Sequence, residues 1–292
     1  MEEQNLTGST TPIALTLDAA VDLHMHTTYS DGKWPAEQLI DYLLTEKFEL
    51  VSITDHDRLD TVASIQALGE EKQLPILAGV EMTTEWRGHM THLLCYGFDP
   101  QNNELQKVAD NVQRKQLENT HAVHDELVRR GYSFPREEEV LAATGGKLFR
   151  PIDNAHLLRE HGYASNGQVA LGLIRDAGFY SVQAKLEETV QAAHRSHAIC
   201  VLAHPGRHDS GITHYTPPLL DELRAEVPID GIEVYHPYHS HEAVELYRAY
   251  AHQHHLLVSA GSDSHSTAGR MPTRLRAELS KDLLERLGIQ FE

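Results

Sequence analysis

Cysteine, positive charge and long apolar runs are all scarce in this chain. Its 292 residues hold two cysteines, Cys95 and Cys200, too few for a disulfide framework or a zinc site built on thiolates; both read as buried, reduced thiols. No apolar run approaches the ~18 residues that cross a bilayer, and Met1-Glu2-Glu3 is acidic where a secretory signal is basic. The chain therefore reads as cytoplasmic, without a membrane partner. Lys and Arg total 25 against 43 Asp and Glu, a formal net charge of −18, which argues against a long nucleic-acid duplex as partner. No Gly-x-Ser-x-Gly elbow or P-loop offers covalent or phosphate-cradling chemistry. With 40% hydrophobic and 23% charged residues, the chain can nonetheless bury a sizeable core.

Histidine is what the sequence has in excess: 21 residues, nearly as many as Lys and Arg together. Imidazole is the commonest ligand for transition metals, so the arrangement of these residues decides whether they form a site. Residues 1–19, rich in Ser, Thr, Gly and Pro, read as a flexible leader. From there, short β-rich runs alternate with helical patterns, the signature of βα units around a parallel sheet or barrel. The candidate strands are Val21–Leu23, Leu50–Thr54, Ile76–Val80, His92–Gly97, Ile199–Ala203, Gly231–Val234 and Leu256–Ala260. Helices are expected from Pro35 (stripe Leu39, Ile40, Leu43, Leu44), over Thr61–Glu71, and near Leu186–Ser196. Residues of about 102–188 break the rhythm. They read as a helical insertion or cap (Gln106–Arg130, then Arg136–Ala143) with no convincing strand, one that would cover the mouth and set substrate size.

The chemistry-bearing residues gather at strand ends. His24 and His26 alternate at the end of the first strand, so both imidazoles point to one side. The second strand ends in Thr54-Asp55-His56-Asp57, the third in Gly79-Val80-Glu81, the fifth in Ala203-His204-Pro205-Gly206-Arg207 and the last in Gly261-Ser262-Asp263-Ser264-His265; the fourth contains His92. In barrels the strand C-termini converge on one mouth, so this pattern predicts a multinuclear metal site. Imidazole and carboxylate donors suit zinc, manganese or iron without choosing among them.

These motifs, with Ser30-Asp31-Gly32, resemble in type and order those of the PHP (polymerase and histidinol phosphatase) superfamily, from Val21 to about His265. The stretches after Asp99 and around Ala203–Arg207 are most similar to the small bacterial phosphoesterases that hydrolyse nucleotide 3',5'-bisphosphates or trim RNA from its 5' end. The resemblance implies an α/β fold, a distorted seven-stranded (βα) barrel of PHP type with a helical insertion, as one domain over residues 20–292. It also implies three divalent metal ions. His24, His26, Glu81 and Asp263 would hold the first; Glu81 would share the second with His92 and His204; Asp31, His56 and His265 would hold the third. Taken by itself, Ser30-Asp31-Gly32 is equally an ordinary turn.

Such a site expects a metal-bridging hydroxide to attack phosphorus, with Asp55 and Asp57 either orienting His56, relaying a proton, or simply packing beside it. Arg207 is the first candidate for phosphate binding, with a salt bridge to a loop carboxylate as the other reading. Arg150, Asp153 and His156 mark a second candidate region, where Asp153 replaces the histidine of the relatives and would repel phosphate unless paired. His236, His239 and His241 read as a solvated loop, the helix histidines (His121, His124, His194, His197, His252, His254, His255) as surface, and Trp34 and Trp86 as core or rim packing. The expected function is a metal-dependent phosphatase acting on a small phosphorylated substrate, a nucleotide 3',5'-bisphosphate being favoured. The alternatives are a 5'-3' exonuclease on short RNA or single-stranded DNA, a non-catalytic metal-binding regulatory module, and amide or lactone hydrolysis. The oligomeric state is left open.

Overall fold

Each of the seven apolar runs carries a strand in the structure, a computed structural model that describes residues 13–142, 146–208 and 211–292. The strands are β1 (Ala14–Leu15), β2 (Ala20–Asp22), β3 (Leu50–Ser52), β4 (Ile76–Leu77), β5 (Gly79–Trp86), β6 (His89–Tyr96), β7 (Ala184–Lys185), β8 (Ile199–Leu202), β9 (Gly231–Tyr235), β10 (Leu257–Ala260), β11 (Leu275–Arg276) and β12 (Gln290–Phe291). The helices are α1 (Ala36–Thr45), α2 (Val62–Lys72), α3 (Leu105–Arg129), α4 (Glu137–Val140), α5 (Pro151–Glu160), α6 (Gly167–Asp176), α7 (Leu186–Arg195), α8 (Pro217–Glu226), α9 (His241–Gln253) and α10 (Lys281–Arg286). The stripe expected for α1 is real: Leu39, Ile40 and Leu43 are fully buried, one face of a 3.6-residue repeat. Among the described residues no helix is long and apolar enough to cross a membrane.

The pairing departs from a simple barrel of parallel units. Strands β11-β2-β3-β4 form one sheet, β10-β9-β8-β6-β5-β7 a second, and β1-β12 a third. Strand β6 runs antiparallel to both β5 and β8. It follows β5 through a two-residue turn at Arg87 and Gly88, both with positive φ (49° and 81°), the backbone that matches strand twist in a tight hairpin. One continuous seven-stranded ladder does not emerge. The four- and six-stranded sheets meet instead through the isolated parallel bridges Met25↔Ser264 and His56↔Glu81, because strands only two to four residues long diverge before a second pair can form.

Three boundaries differ from expectation. The end of the expected leader is ordered: β1 pairs with β12, and Leu15 and Ala19 are buried in the core; residues 1–12 lie outside the described residues. Strand β7, which pairs with β5, falls in the stretch read as strandless, since two residues carry no periodicity to detect. The helix expected over Arg136–Ala143 is only the single turn α4, and Ala143 lies outside the described residues.

The chain divides into two compact units, the first comprising residues up to Ala109 together with Gln183–Glu292, the second Asp110–Val182. The second has its own apolar core, with Val123, Leu127, Leu157, Leu158, Ala170 and Ile174 almost fully buried. In the first, Tyr96 is wholly buried and its hydroxyl donates to the carbonyl of Leu23 at 2.8 Å, tying β6 to the exit of β2. Tyr96→Phe strands that buried carbonyl and should destabilise the protein by about 1–2 kcal/mol, read as a lower melting temperature with bound metal per chain unchanged.

Candidate metal centre

The chain reaches its densest polar cluster where strands end. His24 and His26 follow β2, His56 follows β3, Glu81 opens β5, His204 follows β8, and Asp263 and His265 follow β10. His92 comes from the middle of β6, where it faces Thr83; the antiparallel direction of that strand explains why this residue is not at a strand C-terminus. Asp57, His204 and Asp263 all hold positive φ (54°, 29° and 49°), a backbone that L-residues adopt at a cost and that concentrates at functional sites. Gly261 lets the last segment approach closely, since a Cβ there would fall 2.3 Å from the Cβ of His24.

Glu81 is the hub. Its Oε2 lies 3.1 Å from His24 Nε2, 3.1 Å from His26 Nε2 and 3.3 Å from His56 Nε2. Its Oε1 lies 3.0 Å from His92 Nδ1 and 3.0 Å from His204 Nε2. Asp263 Oδ1 lies 3.4 Å from His24 Nε2 and 3.1 Å from His26 Nε2. Asp31 sits beside His265, 3.1 Å away, and 3.7 Å from His26 Nδ1. Three overlapping groups have all their donor atoms within 4.8 Å of one another: His24/His26/Glu81/Asp263, His26/Asp31/His56/His265 and His56/Glu81/His92. Among the described residues, His24 Nε2, His26 Nε2 and Glu81 Oε2 are buried without a hydrogen-bond partner although they converge. Buried polar atoms are costly in that state, and a divalent cation accepting all of them resolves it, so the donor set fits a metal.

Carboxylates that the sequence did not single out hold the donors in place. Glu233, wholly buried in the middle of apolar β9, lies 3.0 Å from His24 Nδ1 and accepts the backbone N–H of His204 at 2.8 Å. An ionised carboxylate only accepts, so Nδ1 of His24 carries a proton toward Glu233 and Nε2 is the atom that faces the centre. Asp22 accepts from the backbone N–H groups of Ser262 (2.9 Å) and Thr273 (2.9 Å), clamping the last segment to β2. The detectable signal was the acid itself, standing inside an otherwise apolar strand.

The structure places the expected acid/base and substrate residues unevenly. Asp55, 2% exposed, accepts from the Thr27 N–H (2.7 Å), the Thr27 hydroxyl (2.6 Å) and the Ser30 hydroxyl (2.5 Å). It shapes the 27–30 loop that leads into Asp31. Asp57 accepts the Thr83 N–H at 2.9 Å, next to the strand that bears Glu81. Arg207 forms the salt bridge weighed above, to Asp263 Oδ2 at 3.0 Å. Arg270, not foreseen, reaches the same oxygen at 3.2 Å, and both guanidinium groups lie over the ring of exposed Tyr238 (5.6 and 5.4 Å). His236 and His239 are buried rather than solvated. His236 Nε2 is 3.4 Å from Asp263 Oδ2, and His239 Nδ1 lies 2.8 Å from the Val234 carbonyl while its Nε2 accepts from the Gly206 N–H.

Arg150, Asp153 and His156 belong to the second unit. Asp153 Oδ2 accepts the N–H groups of Phe149 (2.9 Å) and Arg150 (2.7 Å), and Oδ1 meets the Arg150 guanidinium at 3.3 Å. Its charge is thus paired at the start of α5, a helix-entry lock. His156, half exposed, leans toward Glu160 at 3.6 Å. Trp86 is core, with its indole N–H on Glu226, and Trp34 caps the Ser266 carbonyl.

A family model described as PHP domain matches residues 22–286. The chain belongs to the PHP domain family. This PHP chain is 28% identical over 262 residues to the 3',5'-nucleoside bisphosphate phosphatase of Chromobacterium violaceum, covering 85% of this chain and 88% of the relative. It is 30% identical over 264 residues to the 5'-3' exoribonuclease Rnm of Salmonella typhimurium, covering 84% of each. In fold it is similar to the crystal structure of a Bifidobacterium adolescentis protein assigned as a metal-dependent phosphoesterase, with a TM-score of 0.76 at 23% identity over 94% of this chain and 98% of that one. The reaction class that follows is metal-dependent phosphoester hydrolysis.

Electrostatics in the PHP centre are those of a site made for cations. Burial would raise the Glu81 carboxyl, but His24, His56 and His92 carry it well below the usual carboxylate range. Asp263 is lowered likewise, against burial, by His24, His236 and His26. Burial alone would depress His24, yet Glu81, Glu233 and Asp263 raise it well above its ordinary value; His26, against the same burial, is pushed up to about 10 by Asp263 and Glu81. For His56 and His204 burial wins, pushing them down to about 3 and about 4. Without a metal the cluster holds protons where cations would sit, and these must leave on loading. Manganese or zinc titrated into the metal-free protein at pH 7 should therefore acidify a weakly buffered solution. Apparent affinity should rise by about tenfold per pH unit for each proton displaced, up toward pH 10 where His26 loses its proton unaided; proton-neutral binding would contradict this.

Proposed function

We propose that this PHP chain is a phosphatase that hydrolyses a phosphomonoester of a small nucleotide, with a 3',5'-bisphosphate as favoured substrate, on three divalent ions (Mn, Zn or Fe). The observation that carries the reading is the sharing of Glu81, whose two oxygens face five imidazoles on either side. In this reading His24, His26, Glu81 and Asp263 hold one ion, Glu81, His92 and His204 a second, and Asp31, His56 and His265 a third. Strands β2, β3, β4–β5, β6, β8, β9 and β10, joined through the two isolated bridges, act as the distorted seven-stranded barrel that aims them. One PHP domain then runs over residues 20–292, with the second unit as its helical insertion.

Bound divalent ions would supply an activated water and neutralise charge developing on the phosphoryl oxygens. The chain's own residues do the rest. Glu233 keeps a proton on Nδ1 of His24, so that Nε2 faces the centre. Arg207 and Arg270 place two guanidinium groups at the edge of the centre in an otherwise acidic protein, the donor geometry that suits phosphate oxygens. Exposed Tyr238 under both of them offers a face for a nucleobase. Support for a nucleotide substrate comes from the Chromobacterium violaceum relative. The exoribonuclease reading is kept alive by the Salmonella typhimurium relative at 30% identity.

The test follows phosphate release by the manganese-loaded protein from adenosine 3',5'-bisphosphate, from simple monophosphates and from a 5'-phosphorylated short RNA, with RNA length read on a gel. Release from the bisphosphate with intact RNA is the expected result. Shortening of the RNA would put the exonuclease first, and silence on all substrates with metal tightly bound would leave a non-catalytic module. Asp263→Asn should abolish release and lower the metal count; retained activity would sink the proposal. Arg207→Ala should raise KM by roughly tenfold, about 1.4 kcal/mol of binding, with the metal count retained.

A further inference from the structure

The start of β8 carries a second cluster at the end of that strand opposite to His204. Asp230, just before β9, accepts the backbone N–H of Cys200 at 2.7 Å through Oδ2, and the same oxygen lies 2.8 Å from Nε2 of His194 in the last turn of α7. The Cys200 thiol completes the group, with all three donor atoms within 4.8 Å of one another. Cys95 is the cross-strand register partner of Cys200 on β6, and both cysteines are free and buried. The His194 and Asp230 side chains are each about one-third exposed (35% and 34%) and open on a groove of ≈ 620 Å³, whose rim adds His197, His255 and Arg286. The cluster thus has a buried soft donor on its floor, two harder donors at its mouth and a path to solvent. None of these residues takes part in the centre built on Glu81.

We propose that His194, Cys200 and Asp230 form a separate, mononuclear site for a thiophilic divalent transition ion such as zinc. Thiolate with imidazole and carboxylate is a donor set that zinc accepts in a tetrahedron, and three protein ligands leave the fourth position to water from the groove. The ion would tie helix α7 to β8 and to the entry of β9, adding to the parallel pairing of β8 with β9 and to the hydrogen bond that the Asp230 N–H donates to the Cys200 carbonyl at 2.8 Å. Without the ion both groups hold their protons: Cys200, and then Asp230 against burial, hold the His194 imidazole up at about 9, and Cys95 together with burial holds the Cys200 thiol well above its ordinary value, so the ion has to displace a proton from each. The site does not depend on the phosphatase reading.

Cobalt(II) tests it without interference from the Glu81 centre, whose donors are all nitrogen and oxygen. Titration of the full chain with cobalt chloride, under a non-thiol reductant, should produce a near-ultraviolet thiolate-to-cobalt charge-transfer band at one equivalent beyond those taken by the main centre. The band should vanish in Cys200→Ser, weaken in His194→Gln, and persist in His24→Ala and in Cys95→Ser. Absence of the band in the wild-type protein at saturating cobalt overturns the proposal, as does a band that survives Cys200→Ser or disappears with His24→Ala. If Cys200→Ser fails to fold by circular dichroism, His194→Gln at the helix surface decides: an unchanged band overturns the site, a weakened one upholds it.

Discussion

The structure depends on a carboxylate that cannot be left alone. Glu81 is fully removed from water, and a bare charge in that position would cost several kcal/mol. The fold answers by bringing five imidazoles to its two oxygens from three different strand ends and one neighbouring strand. Imidazole can meet a buried anion in two ways, as a protonated partner or as a co-ligand of a cation. The first uses protons from solution, and the second requires metal. The same residues serve both states, which is why the cluster is a chemically reasonable interior before and after loading.

Around this hub the chain spends carboxylates on geometry rather than on chemistry. Glu233 and Asp22 fix a ring and a backbone segment, Asp55 fixes the loop that bears Asp31, and Asp153 fixes the start of α5 in the other unit. In each case the acid accepts backbone or side-chain protons at 2.5–3.0 Å. An acidic protein can thus keep most of its negative charge on the surface and still present a centre in which nearly every buried acid has a stated partner. Two arginines follow the opposite rule: Arg207 and Arg270 converge on one oxygen of Asp263, at the edge of the cluster.

The sequence made the strand ends legible because parallel, buried strands read as short apolar runs that stop abruptly at polar residues. His24, His26, His56, Glu81, His204, Asp263 and His265 all stand at such stops, and the structure brings them together. Periodicity says nothing about strand direction, so the antiparallel course of β6 was hidden, although Arg87-Gly88 between two β-rich runs is a hairpin signal. Two-residue strands such as β1 and β7 have no period at all and are made by their partners. Glu233 was missed because a positioning acid looks, in sequence, like any charge in a strand; only burial tells it apart. His236 was misread for the converse reason, since a His-Pro-Tyr-His run looks like a polar loop until its backbone is folded inward.

The hairpin of β5 and β6 has a consequence for how the molecule comes into being. Glu81 and His92 are eleven residues apart, so the hub and one of its imidazoles can meet as soon as a local turn closes. Their other partners are remote: His204 lies 123 residues from Glu81, and Glu233 lies 209 from His24. Contacts of that span are slow to form, because the chain entropy they remove must be overcome before they contribute. Asp263 and His265 are the last of these donors in chain order, so an emerging chain holds an incomplete set until the segment after β10 has been made. The donor set is complete only when the segment after β10 has settled against β2, so metal loading waits on that long-range contact.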